Sequence, residues 1–144
     1  MITGVEIDFV VKNSKAALEQ YISIFEVVIV EATDFKVGNN EAVFTIYGTR
    51  FHILDENPEY QLFAPKEDRN QSFWFNVVVP SIQVVFDKAV VVGATVIQPI
   101  TKMEEMGISN AMFLDSFGYV WMLHEIHQEV SFENRVKILS EDFE

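Results

Sequence analysis

Pairs of residues two positions apart carry most of the chemistry this chain could do: Glu6 and Asp8, Arg50 and His52, Trp74 and Asn76, Met122 and His124. Side chains alternate across a β-strand, so residues two apart share a face. If Ile7, Phe9 and Val11 pack under a helix, Glu6, Asp8 and Val10 face the other way. Phe75, Val77 and Val79 set Trp74, Asn76 and Val78 opposite in the same manner. Phe51 and Ile53 read as core and leave Arg50, His52 and Leu54 outside it, and Trp121 and Leu123 do the same for Val120, Met122 and His124. Glu6 with His52 can work as a general acid/base pair, or the two can simply satisfy each other through a hydrogen bond. Arg50 can anchor an anionic ligand, or pair with Glu6 or Asp8. Trp74 and Met122 offer an apolar wall to a flat ligand, or fill the space with their own atoms. His124 and His127 stand at a strand end and read as surface residues, His127 especially. A face that mixes polar, aromatic and thioether groups suits the lining of a cavity in a curved sheet.

The elements that must position these residues come twice. Tyr47–Glu56 (YGTRFHILDE) echoes the run DSFGYVWMLHE at Asp115–Glu125: Gly48 matches Gly118, Phe51 Trp121, His52 Met122, Ile53 Leu123 and Asp55 Glu125. Glu6–Tyr21 and Trp74–Ala89 line up at an offset of 68. Two echoes at almost one offset imply a duplicated unit of about 70 residues. In the first copy, β-branched alternation predicts a strand over Val5–Val11, and Asn13-Ser14 caps a helix running to Phe25. Strands follow at Val27–Ala32, Glu41–Tyr47 and Arg50–Asp55, with Gly38-Asn39-Asn40 and Gly48-Thr49 as turns. The second copy repeats the order: a strand at Phe73–Val79, a helix from Pro80-Ser81 to Val92 stopped by Gly93, and a strand at Ala94–Gln98 closed by Pro99. A loop at Ile100–Ser109 then leads to strands at Asn110–Asp115 and Tyr119–Ile126. The expected division is one domain over 1–144: module one at 1–56, module two at 72–127, and a C-terminal helix at 131–140 capped by Ser131. Between the modules, the linker 57–71 carries Pro58, Pro65 and the charge run Lys66-Glu67-Asp68-Arg69.

Composition narrows the partners. The net charge of −12 argues against a nucleic acid or an anionic membrane, which need a cationic face. With no cysteine there is no disulfide, thiol nucleophile or thiolate metal site. The start, Met1-Ile2-Thr3-Gly4-Val5-Glu6, shows no secretory signal, no apolar run spans a membrane, and the cytoplasm is the expected location. Dinucleotide, P-loop, nucleophile-elbow and zinc-protease motifs are all missing.

The ordered set Phe9-Val10-Val11-Lys12-Asn13, Ala16-Ala17-Leu18, Tyr21, Phe25 and Ile53-Leu54-Asp55-Glu56 carries a resemblance, extended by Gly93-Ala94, Val96, Pro99 and the Asp-x-Phe-Gly-x-x-Trp-x-Leu run from Asp115 to Leu123. The chain resembles the vicinal oxygen chelate superfamily (glyoxalase I, the bleomycin- and fosfomycin-resistance proteins and the extradiol dioxygenases), and within it the PhnB-like branch. The resemblance implies an α+β fold of tandem βαβββ modules, a curved mixed sheet around a cavity, and a homodimer. It also implies four metal-ligand positions, falling here on Glu6, His52, Trp74 and Met122. Indole is a donor only, and a thioether is a poor ligand for Zn²⁺, Mg²⁺, Mn²⁺ or Fe²⁺. The implied function is therefore binding of a small molecule in the sheet cavity, without a catalytic metal. Glu6, Asp8, Arg50, His52, Trp74, Asn76, Met122 and His124 would line that cavity. The alternative is a divalent-metal lyase, isomerase or dioxygenase using Glu6, His52 and His124. The resemblance leaves enzyme or binding protein open. PhnB-like relatives carry Trp-Gly and a basic residue just before the Asp-Pro-Phe-Gly turn; this chain keeps Gly107 between Met106 and Ile108, and has Ser116 for the proline.

Overall fold

A computed structural model of the chain describes residues 3–67 and 71–143. Met1-Ile2, at the start of the expected leaderless N-terminus, and Asp68–Asn70, in the linker's charge run, lie outside the described residues. The fold is α+β and is built from two βαβββ modules. The first contains β1 (Ile7–Val11), α1 (Ser14–Ile24), β2 (Val27–Ala32), β3 (Glu41–Ile46) and β4 (Thr49–Asp55). The second contains β5 (Phe75–Val78), α2 (Ile82–Val91), β6 (Thr95–Met103), β7 (Ile108–Leu114) and β8 (Val120–Ile126), and is followed by α3 (Phe132–Phe143). Each module makes one four-stranded mixed sheet, ordered β1-β4-β3-β2 and β5-β8-β7-β6. None of the described helices is long and apolar enough to cross a membrane.

The duplication holds at the level of individual pairs. Parallel β1 and β4 set Ile7 against Phe51, Asp8 against His52, Phe9 against Ile53 and Val10 against Leu54. Parallel β5 and β8 set Phe75 against Trp121, Asn76 against Met122, Val77 against Leu123 and Val78 against His124. Each of these four pairs in the second sheet is its counterpart in the first, moved by the offsets read from the sequence.

The echo of Asp55 in Glu125 also has a physical use. The first N–H groups of a helix have no partner within it. Asp55 Oδ1 takes the N–H of Ser14, at the start of α1, at 2.7 Å. Glu125 Oε1 takes the N–H of Ile82, at the start of α2, at 2.9 Å. An acid at the end of each module's last strand thus closes the start of its helix, where the helix dipole favours a negative charge. Asn13 adds the expected cap, accepting from the Ala16 N–H at 3.1 Å.

By contact, the chain divides into two compact units: Met1–Ser72 with Asp115–Tyr119, and Phe73–Leu114 with Val120–Glu144. The segment Asp115–Tyr119, between β7 and β8 in sequence, is built into the first unit. Asp115 accepts from the Tyr21 hydroxyl at 2.6 Å and from the N–H groups of Phe117 and Tyr119 at 2.8 and 2.9 Å. The Tyr119 hydroxyl donates to the Val10 carbonyl at 2.8 Å, and its ring meets Phe9 edge-on at 5.0 Å.

The strand parity read from the sequence is the parity of burial. Phe9, Val11, Phe51 and Ile53 are buried in the first unit, and Phe75, Val77, Trp121 and Leu123 in the second. Ile7 departs from this, being 37% exposed at the open end of β1, whereas its counterpart Phe75 is covered by Phe73 and Trp121.

Several boundaries differ from expectation: β1 begins at Ile7, β5 spans Phe75–Val78, and the C-terminal helix runs to Phe143 where 131–140 was expected; two further differences change the local structure. The β3–β4 turn is Tyr47-Gly48 rather than Gly48-Thr49, since Ile46 pairs with Thr49; both turn residues have positive φ, 46° and 84°, as a tight hairpin of type I′ requires. The sixth strand does not stop at Pro99 but runs through it to Met103, so most of the expected loop Ile100–Ser109 is strand. Proline is tolerated there because β6 is an edge strand and its register with β7 shifts between Gln98 and Thr101. What remains of the loop is the short 3-10 turn Glu104–Met106, ended by Gly107 at φ 69°. A Cβ on Gly107 would stand 2.1 Å from the Gln128 carbonyl oxygen, so close approach of backbone, as well as φ, demands glycine.

Candidate functional site

In the first unit the predicted polar residues do meet. Asp8 and His52 are direct partners across β1 and β4. Glu6 comes just before β1, and its Oε2 accepts from Arg50 Nε at 2.8 Å while its Oε1 lies 3.2 Å from His52 Nδ1. The same nitrogen is 3.4 Å from Asp8 Oδ2. Sequence reasoning missed Glu41. Its Oε1 lies 3.4 Å from His52 Nε2, a buried atom that makes no hydrogen bond. The signal for Glu41 was in the hairpin: once Ile46 pairs with Thr49, Glu41 pairs with Leu54, on the His52 face.

The electrostatics of this face follow from the contacts. Arg50 holds the Glu6 carboxyl below its ordinary range, with smaller help from Asp8 and His52. Burial, and then the neighbouring Glu6, push Asp8 upward. Two adjacent carboxyls whose affinities for protons are driven apart can divide the work of holding and accepting one proton. Arg50 pairs with Glu6 through Nε, which offsets the charge an anion would meet. With Glu6, Asp8 and Glu41 against one guanidinium, the face favours cationic or proton-donating groups.

The corresponding face of the second unit is polar but uncharged. Trp74 is 53% exposed, just before β5. Asn76 stands beside Met122, and Met122 beside Met112 on β7. His124 Nδ1 donates to Asn76 Oδ1 at 2.5 Å, and burial lowers the pKa of this imidazole, favouring the neutral ring. Gln98 and Asn110, which sequence reasoning did not single out, are joined at 2.5 Å, and Asn110 is the cross-strand partner of His124.

A further constellation was missed altogether. Ser109 Oγ lies 2.8 Å from His127 Nε2, and His127 Nδ1 lies 2.9 Å from Glu125 Oε2. A neutral ring protonated at Nδ1 accepts from the serine and donates to the glutamate. The order nucleophile, base, orienting acid is that of serine hydrolases. Access argues otherwise: Ser109 is 4% exposed, and β7 is paired on both sides, which engages the backbone donors an oxyanion would need. The chain of bonds fastens the start of β7 to the end of β8. Ser109→Ala is expected to cost about 1 kcal/mol in urea unfolding, the usual worth of one such bond, with no change in reactivity toward serine-directed fluorophosphonates.

No known protein family's profile matches the chain, and no curated protein matches it. Solved structures do. The fosfomycin resistance protein FosX from Listeria monocytogenes, in its complex with Mn(II) and sulfate, is similar with a TM-score of 0.67 at 16% identity, over 96% of this chain and 99% of that one. A PhnB protein from Bacillus cereus, described as a putative 3-demethylubiquinone-9 3-methyltransferase, gives 0.62 at 19%, over 85% and 99%. TioX from Micromonospora sp. ML1 gives 0.63 at 12%, over 90% and 100%. The fold is that of the vicinal oxygen chelate superfamily. Within that fold the four positions implied to hold a metal are duplicates of one another: Glu6 corresponds to Trp74, and His52 to Met122. The second unit's pair does not suit a divalent cation. The first unit's pair does, and Asp8 joins it: donor atoms of Glu6, Asp8 and His52 all lie within 4.8 Å of one another. Within the first unit the group brought together is Glu6, Asp8 and His52; the sequence reading offered His124 as third ligand, and within the second unit His124 pairs with Asn76.

Proposed function

We propose that this chain binds a small organic molecule without a catalytic metal, as a cytoplasmic homodimer with no nucleic-acid or membrane partner. Glu6, Asp8, Arg50 and His52 of the first unit and Trp74, Asn76, Met122 and His124 of the second are the residues assigned to binding. The observation that carries this reading is Trp74 and Met122 at two of the four positions where the fold's metal enzymes keep ligands. The Glu6–Arg50 ion pair supports a cationic ligand over an anionic one, because the guanidinium is already neutralised by its own carboxylate.

Trp74 is 53% exposed and Trp121 is fully buried, so a ligand that stacks on the protein alters the emission of Trp74 alone. Titration with a panel of flat organic cations and anions is expected to give saturable quenching with cations. In equilibrium dialysis of the same cations, Glu6→Gln and His52→Ala should each weaken binding tenfold or more. No saturable ligand in the panel, or equal binding in both variants, would sink the proposal.

The Glu6, Asp8 and His52 donors support a second reading, in which the same face holds a divalent cation. A bound ion would supply a Lewis acid for a ligand's oxygens, with the carboxylates and imidazole fixing its place. Mn²⁺ followed by its electron-spin signal decides between the two: stoichiometric uptake abolished by His52→Ala favours the metal reading.

A further inference from the structure

Among the described residues the last helix packs only lightly on the rest of the chain. α3 spans Phe132–Phe143, 12 residues, and none of them is buried. Its neighbour in the fold is the turn Glu104–Met106, and among its residues only Ile138 is half-covered. A helix of about 12 residues is marginal in water on propensity alone and ordinarily depends on packing. Ser131 starts it properly, its hydroxyl accepting from the Asn134 N–H at 3.2 Å, but a cap does not supply packing.

The exposed apolar residues are Phe132, Val136, Leu139 and Phe143, with exposures of 72, 45, 40 and 83%. Their spacing is four, three, four. Such a narrow stripe, two positions per heptad, is the seam of a helix pair and not the wider face that packs on a sheet. The occupant the stripe fits is another helix.

The charges beside the seam choose which helix and which direction. Glu133 and Arg135 flank its start, Ser140 and Asp142 its end. In a parallel pair of identical helices Arg135 meets serine. In an antiparallel pair Phe132 packs on the partner's Phe143 and Val136 on the partner's Leu139, while Arg135 meets the partner's Asp142, twice by symmetry. Within one chain the Arg135 guanidinium already lies over the Phe132 ring, 5.7 Å from its centre, at the rim of the seam. We propose that α3 pairs antiparallel with α3 of a second copy of this chain. The pairing rests on the homodimer reading above and names the element that makes it.

Sedimentation velocity of the full chain across roughly 1–200 µM is the test, because two short helices form a small interface and association should be concentration-dependent. A monomer–dimer transition in this range is expected, weakened at least tenfold by Val136→Glu with Leu139→Glu. Those changes could also unfold the helix, so charge reversal separates the cases. Arg135→Glu and Asp142→Arg should each weaken the dimer, and the two together should restore it. A chain that stays monomeric throughout, a dimer indifferent to the seam variants, or a charge swap without restoration would each overturn the pairing. The cation titration of Trp74 reads separately: quenching retained in a seam-disrupted monomer would leave the binding proposal standing while the pairing is judged on sedimentation alone.

Discussion

Asp55→Ala should destabilise the chain by about 3–4 kcal/mol, far more than a surface carboxylate is worth. Asp55 is 2% exposed and holds three backbone donors at once: the N–H of Ser14 at 2.7 Å, of Gly38 at 2.8 Å and of Asn40 at 2.9 Å. Those donors belong to the start of α1 and to the β2–β3 connection, so one side chain joins helix, turn and strand. Alanine leaves them facing a cavity. A bond to a charged acceptor is worth roughly 1.5–3 kcal/mol, and a buried donor without partner costs its full desolvation. Asp55→Asn keeps the shape but can accept through one oxygen only, and should cost about half as much. The pH dependence is a second signature. Burial by itself would raise the carboxyl's pKa, but the bonds from Ser14, Asn40 and Gly38 outweigh it and the pKa is lowered. A group whose folded pKa is depressed contributes its stability above the unfolded value, near 4, and loses it as pH falls through the folded value. Urea midpoints measured from pH 7 to pH 3 should therefore fall for the native chain, and Asp55→Ala should lack this group's share of the fall. Equal slopes would mean that other carboxylates carry the acid sensitivity.

How much of this was visible in the chain depends on how far a signal reaches. The offsets of 68 and 70 were legible, and they tie the register of β5 on β8 to that of β1 on β4, because duplicated modules repeat their registers along with their hydrophobic pattern; which strands pair was not legible. The correspondence of Asp55 and Glu125 was legible as well; its use was not. A carboxylate that closes a helix belonging to a distant part of the sequence leaves no local trace, since the donors at Ser14 and Ile82 are backbone. Pro99 misled for the opposite reason. Its local meaning, a strand's end, is overridden at a sheet edge, where one row of donors goes unused. Ser109 and His127 could have been joined in advance. With a turn at Asp115–Tyr119, Leu114 pairs with Val120 and the ladder then sets Ser109 opposite Glu125, two residues before His127. The polar face was foreseen by parity alone, but parity assigns faces and not partners. That Arg50 spends its charge on Glu6, and that Glu41 approaches His52, follows from side-chain reach across three adjacent strands.

Trp121→Ala should cost about 3–5 kcal/mol, the range for deleting a large buried aromatic. The side chain has no exposed surface and lies with its ring centre 4.6 Å from that of Phe75, with Phe113 as its cross-strand neighbour on β7. Its counterpart, Phe51, packs between Phe9 and Phe44, at 6.2 and 5.5 Å. Both sheets therefore bury an aromatic at the same register point, beside the strand that parallels them, and the larger one serves the unit whose facing residue is Phe75 instead of Ile7. Deleting it opens a cavity the rigid ladder on both sides of β8 cannot close, because neighbouring strands are held at their hydrogen-bonding separation. Trp121→Phe leaves a smaller void and should cost about 1–2 kcal/mol. It also removes the buried emitter, so the remaining fluorescence, from half-exposed Trp74 alone, should shift to longer wavelength. Unfolding of both variants by urea, followed by circular dichroism so that the lost fluorophore does not matter, checks the order. A cost below about 2 kcal/mol for alanine would show that α2 settles into the space, and that the second unit's core is held by Phe75, Phe113 and Leu123 without needing the indole.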